Sequence, residues 1–276
     1  MIKDIVVNLS VNAKEDIAAS FAASVAAFFQ AHLVGLAFAH EPAVPGGLFG
    51  GVVASLVQAS RDEAERAAQA AVERFEQQAR RHALSFESRR FVAGLAAAAA
   101  LFGRFARQFD VSIVAQTEAG AAGPGRLLTE AALFESGRPV LVVPYIQRVG
   151  LELRRVMVCW DGSRNAARAI GDAMPFLLRA NAVEVITVTG EPGKSSDVPG
   201  ADIAHHLARH GLKVELRQLV MSDTDVTSTI LSHAADAGSD LIVMGGYGHS
   251  RAREFVLGGA TRGILSSMTV PVLMSH

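Results

Sequence analysis

Short runs of uninterrupted apolar residues alternate along the chain with longer stretches in which apolar positions recur every three or four residues. Asp4-Ile5-Val6-Val7-Asn8-Leu9-Ser10 is the first such run, and Lys14 to His32 follows it at helical spacing. Leu33 to His40, Ala83 to Phe91, Asp110 to Ala115 and Pro139 to Val143 continue the series. The cadence restarts at Arg155-Val156-Met157-Val158-Cys159-Trp160-Asp161 and passes through Ala182 to Thr189, Leu212 to Leu219, Asp240 to Gly245 and Pro271 to Met274. Five correspondences in one order amount to an internal repeat. Each half reads as five strands separated by helices. Near-continuous Val, Ile and Leu runs suit parallel strands with helices on both faces, so the pattern predicts an α/β chain of two tandem, doubly wound domains.

Helix signals fit this division. Asn12, followed three residues later by Glu15, is a capping pattern for the first helix. Its match in the second half can start after Ser163 or Asn165 and run to about Ala180. Arg61 to His82 reads as a charged amphipathic helix; its counterpart, Asp202 to His210 ending at Gly211, is much shorter. The third helices are about Gly94 to Phe109 and Thr224 to Ala237, the latter stopped by Gly238. A polar connection from Tyr145 to Leu153 separates domains at 1–146 and 152–276. Glu41 to Ser60 has no partner in the other half: Pro42, Pro45 and glycines at 46, 47, 50 and 51 surround Leu48, Phe49, Val52 and Val53. This Gly-rich insertion is either a surface connection or a lid, plug or partner contact.

Composition narrows the function classes. The 276 residues are 50% hydrophobic and 19% charged, enough apolar material for two buried cores. Twenty-six basic against 27 acidic residues give a net charge of -1, which excludes a globally basic nucleic-acid binder. The single cysteine, Cys159, can form no intrachain disulfide and no multi-cysteine metal site, and a reducing, cytoplasmic setting is the simplest expectation. A mean hydropathy of +0.28 raises the membrane question at Ile17 to Ala39, which has no formal charge. That stretch is Ala-rich, includes Ser20, Ser24, Gln30, His32 and Gly35, and splits into a helix and a strand, so no membrane span is expected. No secretory pattern opens the chain.

The fourth strand of the second half runs into Met244-Gly245-Gly246-Tyr247-Gly248-His249-Ser250, and then to Gly258-Gly259-Ala260-Thr261. Glycines 245, 248 and 258 give G-x2-G-x9-G, from the carboxyl end of a parallel strand to the start of the last helix. Open parallel sheets bind ligands at that edge, and the free N–H groups of a helix start favour an anion. Glycine allows positive φ and lets a phosphate approach the main chain. Asp161-Gly162-Ser163 puts a carboxylate on the turn after the first strand, at the same edge. It could accept from a ribose hydroxyl or cap the following helix.

On these residues the chain resembles a tandem universal stress protein, two copies of that family's domain in one polypeptide. The resemblance implies a Rossmann-like or flavodoxin-like fold, each domain a five-stranded parallel sheet in order 3-2-1-4-5. It implies ATP, with Mg, as the ligand of the second domain. Asp161 with Gly162 would hold the ribose and Val188 would flank the base. Met244, Gly245, Gly248, His249 and Gly258 would form the phosphate cradle with Gly259, Ala260 and Thr261. The family's Ser or Thr after the last motif glycine is here Gly259. Losing that hydroxyl removes about 1.5–3 kcal/mol, with Thr261 as the substitute donor. The resemblance also implies that the fifth strands pair the two halves as an internal pseudo-dimer, with room for a further homodimer.

The first half departs further. Asn8 replaces the strand-one acid, and Gln116 to Gly125 retains G-x2-G at Gly120 and Gly123 without the long spacing, while Glu118 adds negative charge. This half is therefore expected not to bind ATP. Among other constellations, His206 and His210 have no coded third ligand, so no metal site is expected, and His249, Arg251 and Arg253 are cations within the glycine loop. No Walker A lysine, H-E-x-x-H or G-x-S-x-G motif is present. The reading that ranks first is thus a stress-response protein binding an adenine nucleotide, with no catalytic residue assigned. A scaffold that binds a partner or apolar ligand through 41–60 is the alternative, and slow ATP hydrolysis the third.

Overall fold

In the computed structural model of the chain, residues 1–40, 51–117, 124–189, 200–221, 225–247 and 259–276 are described. They group into two compact units, Met1–Ala115 with Ala122–Arg138, and Gln116–Ala121 with Pro139–His276.

The first unit holds β1 (Asp4–Asn8), α1 (Ile17–Phe29), β2 (His32–His40), α2 (Gly51–Arg81), β3 (Phe86–Ala93), α3 (Leu95–Ala106), β4 (Val111–Ala115) and α4 (Pro124–Glu135). Its strands lie in the order β3-β2-β1-β4, all parallel, with Val7 opposite both Gly35 and Ile113. The apolar runs of β1 and β2 are buried, as strands covered on both faces require. Ile17 to Ala39 divides into α1 and β2 as expected, and among the described residues no helix is long and apolar enough to cross a membrane.

Two helix starts differ from the sequence reading. The cap of α1 is Asp16, not Asn12, and the helix begins at Ile17 rather than Lys14. One carboxylate serves two donors there, accepting from Ala19 N–H at 3.0 Å and Ser10 N–H at 2.6 Å, so Asp16 closes the loop as well as the helix. Burial pushes the Asp16 carboxyl above its ordinary value, against the pull of those hydrogen bonds. The second difference is larger: α2 starts at Gly51 and spans 31 residues, so 51–60, expected as part of a loop, are helical. Ala54 to Ser60 contains neither Gly nor Pro, and an i,i+4 pair ties it to the helix that follows, Gln58 Nε2 donating to Asp62 Oδ1 at 2.8 Å. Such a helix is about 46 Å long against about 30 Å for nine-residue β2, so its first turns outrun the sheet. Leu56, on that extension, is 66% exposed.

The second unit holds β5 (Val140–Val143), β6 (Arg155–Cys159), α5 (Arg164–Leu177), β7 (Ala182–Thr189), α6 (Ala201–Arg209), β8 (Val214–Val220), α7 (Val226–Asp236), β9 (Leu241–Gly245), α8 (Gly259–Ser267) and β10 (Val272–Ser275). Strand order is β5-β10-β9-β6-β7-β8. From β8 to β10 this is the expected 3-2-1-4-5 arrangement, all parallel. β5 adds antiparallel to β10, with Leu141 opposite Leu273, and both strands are fully buried. Gly211 at φ +82° and Gly238 at φ +63° follow α6 and α7 in the left-handed region, as their positions in the sequence suggest.

An acid interrupts the apolar core of β7. Glu184 is 1% exposed, and its Oε1 lies 3.1 Å from Arg217 Nε and 3.6 Å from Arg155 Nη1, while Oε2 lies 2.9 Å from His233 Nε2. Three elements, β6, β8 and α7, thus each supply a partner to one buried carboxylate, which is how such a charge is tolerated inside a sheet.

Candidate functional site

The site grows from the carboxyl edge of β6, β7 and β9, which run in one direction and so end on one edge. After β6, Trp160 N–H still donates to Ile186 O at 2.9 Å, and the chain then turns. Gly162 takes φ +75°, a conformation that suits a residue without Cβ. Ser163 N–H donates to Asp161 Oδ1 at 2.9 Å, and Ser163 Oγ accepts from Ala166 N–H at 3.1 Å. Ser163 is therefore the cap of α5, and Asp161 stands two residues ahead of it, exposed, with one carboxylate oxygen held by the Ser163 N–H. Of the two roles open to Asp161 in the sequence, helix cap and ligand acceptor, the first is taken by Ser163.

Val188 is half-buried near the end of β7, in register with Leu219 of β8. Met244 is buried on β9 opposite Met274, and Gly245 pairs with Ser275. Gly245 meets α5 rather than open space: a Cβ on it would lie 2.7 Å from Ala166 N and from the carbonyl carbon of Asn165. Its lack of a side chain is thus needed for helix and strand to meet, a reason different from phosphate approach. Gly259, by contrast, faces open space and is exposed. Gly259, Ala260 and Thr261 form the first turn of α8.

The turn after β9 is fixed by residues that are distant in sequence. Gly246 N–H donates to Ser275 O at 2.8 Å. Asn165, 3% exposed, donates from Nδ2 to Gly246 O at 2.8 Å, and His276 Nδ1 lies 3.0 Å from both. Tyr247 N–H donates to Thr261 Oγ1 at 3.2 Å. Tyr247 itself has φ +50°, a left-handed conformation that costs a non-glycine residue about 1–2 kcal/mol. The structure therefore joins Gly246, Tyr247, Thr261 and Asn165 directly, and sets Asp161 at the start of the helix that packs on Gly245. The expected cradle residues Gly248, His249 and Gly258, and the cations Arg251 and Arg253, lie outside the described residues.

Sequence reasoning missed Asn165 as a site residue, although a signal existed. Asn165 occupies the same buried helix face as Ala169 and Ala173, so a polar residue at the head of an apolar stripe required a partner. It also missed Gln116. In the first half this residue follows β4 as Gly246 follows β9, yet it is 6% exposed and both ends of its amide are engaged. Gln116 Nε2 donates to Leu265 O at 3.0 Å and Oε1 accepts from Tyr145 N–H at 3.2 Å. Asn8 ends β1 where Cys159 ends β6, so the residue that stands two past the strand, as Asp161 does, is Ser10 and not the expected Asn8, while Glu118, Gly120 and Gly123 lie outside the described residues.

Other candidates take definite places. Cys159 keeps some accessible surface, but desolvation of its sulfur, reinforced by the charge of Asp161, pushes the thiol up to about 12. His206 and His210 are exposed with ring centres 4.8 Å apart, and among the described residues no group of three or more His, Cys, Asp or Glu is arranged to hold a metal ion.

Residues 152–276 match the model of the universal stress protein family. Universal stress protein Slr1230 of Synechocystis is 27% identical over 140 residues, a stretch covering 49% of this chain and 46% of that one, so the match spans about half the length of the curated relative. A universal stress protein of Archaeoglobus fulgidus shares the fold with a TM-score of 0.68 at 16% identity, over 99% of this chain and 95% of that one. A functionally unknown protein of Pseudomonas aeruginosa PAO1 does so with a TM-score of 0.60 at 14% identity, over 99% and 92%.

Proposed function

We propose that this chain, whose second half matches the universal stress protein family, binds an adenine nucleotide at the carboxyl edge of β6, β7 and β9 and acts in a stress response through the occupancy of that site. One observation carries the reading: at the edge where a parallel sheet takes ligands, the turn after β6 bears an exposed carboxylate and the turn after β9 is tied to the first turn of a helix. In this reading Asp161 accepts from the ribose hydroxyls and Val188 flanks the base. Met244, Gly245, Gly248, His249, Gly258, Gly259 and Ala260 complete the cradle. Thr261 takes the place of the hydroxyl missing at Gly259: its oxygen accepts from Tyr247, and its proton would donate to a phosphate oxygen. ATP would enter with Mg bound to its phosphates. In this reading the first half does not bind the nucleotide, which is supported by Gln116, the residue after β4, spending its amide on Leu265 and Tyr145.

Calorimetric titration of ATP and ADP into the wild type, Gly248→Val and Asp161→Ala tests the reading. Saturable binding weakened by both substitutions supports it. No binding by the wild type at millimolar nucleotide refutes it, and binding indifferent to both substitutions moves the site elsewhere.

A second reading has its own observation. The α2 extension displays Leu56 beyond the sheet, which supports a scaffold that takes a partner or apolar ligand through 41–60. Leu56→Glu would then abolish partner binding while leaving nucleotide affinity unchanged. The antiparallel register of β5 with β10 supports the expected pairing of fifth strands.

A further inference from the structure

We propose that Asn165 positions the turn after β9 for phosphate binding by clamping, together with Thr261, the single peptide group between Gly246 and Tyr247. This rests on the nucleotide reading above. In a trans peptide the C=O and N–H point in opposite directions. Here the two ends of one peptide are held by two different helices: Gly246 O accepts from Asn165 Nδ2 of α5 at 2.8 Å, and Tyr247 N–H donates to Thr261 Oγ1 of α8 at 3.2 Å. His276 Nδ1, 3.0 Å from the same carbonyl, adds a second polar group at the α5 end.

A turn that begins Gly245-Gly246 has wide backbone freedom, and a peptide flip there would reverse which way its donor faces. The clamp removes that freedom, since a flip must break both bonds at once. It also accounts for Tyr247 standing at φ +50° without being glycine: strained backbone persists where its surroundings over-determine it. Asn165 touches no ligand atom in this scheme. It acts by orienting the peptide whose N–H engages Thr261, and so fixes the hydroxyl that donates to phosphate. A turn ordered before the ligand arrives binds more tightly than one ordered by it.

The experiment uses the full chain with Asn165→Ala, which suits a helix start, and the near-isosteric Asn165→Asp, which sets a carboxylate oxygen against the Gly246 carbonyl. Three quantities are measured: the urea midpoint, hydrogen exchange of the Tyr247 amide, and affinities for ATP and for adenosine, which lacks phosphates. Positioning predicts faster Tyr247 exchange in both variants and an ATP affinity lower by roughly tenfold, with adenosine affinity unchanged. ATP affinity equal to wild type in both variants overturns the proposal, as does an equal loss for ATP and adenosine. A Tyr247 amide that exchanges freely in the wild type overturns the clamp itself. Wild-type protein with a protected Tyr247 amide but no affinity for ATP shows instead that the nucleotide reading has failed, and the phosphate-positioning role with it.

Discussion

Replacing Gly245 by alanine probes how the ligand edge of the sheet is locked to α5. The added methyl would stand 2.7 Å from Ala166 N and from the Asn165 carbonyl carbon, and 2.9 Å from Asn165 Cβ, where carbon contacts need about 3.5 Å. None of these atoms can be moved by a rotamer change, so β9 or the first turn of α5 must shift. The helix start is pinned by the Ser163 cap and the Asn165 amide, so the shift loosens both. Overpacking of this kind costs about 1–3 kcal/mol. A loss near 2 kcal/mol lowers Tm by about 4–8 °C in a unit of this size. Trp160 is the one tryptophan of the chain and lies just past β6, so its emission during urea unfolding follows the second unit specifically. Gly171→Ala is the matched control: it lies within α5, faces open space, and should stabilise by about 0.5–1 kcal/mol through helix propensity. A Gly245→Ala midpoint equal to wild type, or an equal loss in Gly171→Ala, would refute the steric argument.

Three further outcomes follow from the local chemistry. Ser163→Ala removes the α5 cap and should lower stability by about 1 kcal/mol in the same urea assay, whereas Asp161→Ala, which leaves the cap in place, should lower it less. The Ser228 backbone and hydroxyl donors, with Thr227 assisting, hold the Asp225 carboxyl below its ordinary 3.8, so its contribution is present above that value and is lost as pH falls through the lower, folded-state value; Asp225→Asn should flatten the acid limb of the stability profile, and an unchanged limb would contradict this. Cys159, its thiol pushed up to about 12, should react with a disulfide reagent at pH 8 far more slowly in the native protein than after unfolding, and equal rates would contradict the assignment.

Much of the architecture was legible because it is written in local patterns. Strand runs and the glycine stops of α6 and α7 depend on neighbours within a few residues, and the structure agrees with them; of the two starts open to α5, after Ser163 or after Asn165, it takes the first. The α2 start was not legible, because glycines 46, 47, 50 and 51 with Pro42 and Pro45 read as a loop and masked the helix-forming run behind them. Asn12 and Asp16 both precede α1 with capping side chains, and only the position of Ser10 N–H in space selects the aspartate. The buried polar contacts were hidden for a different reason. Asn165 meets Gly246 at a separation of 81 residues, and Gln116 meets Leu265 at 149, so no window along the sequence brings them together. Glu184 in a valine-rich strand demanded partners by its charge alone, but not the identity of Arg155, Arg217 and His233.

The central claim is that the second half holds the nucleotide and the first does not. A crystal structure of the full chain grown with millimolar ATP tests it most directly. The account predicts one nucleotide per chain, its ribose on Asp161, its base beside Val188 and its phosphates at Tyr247 and Thr261. Nucleotide density at Asn8 and Gln116, or an empty edge at β6, β7 and β9, would contradict it.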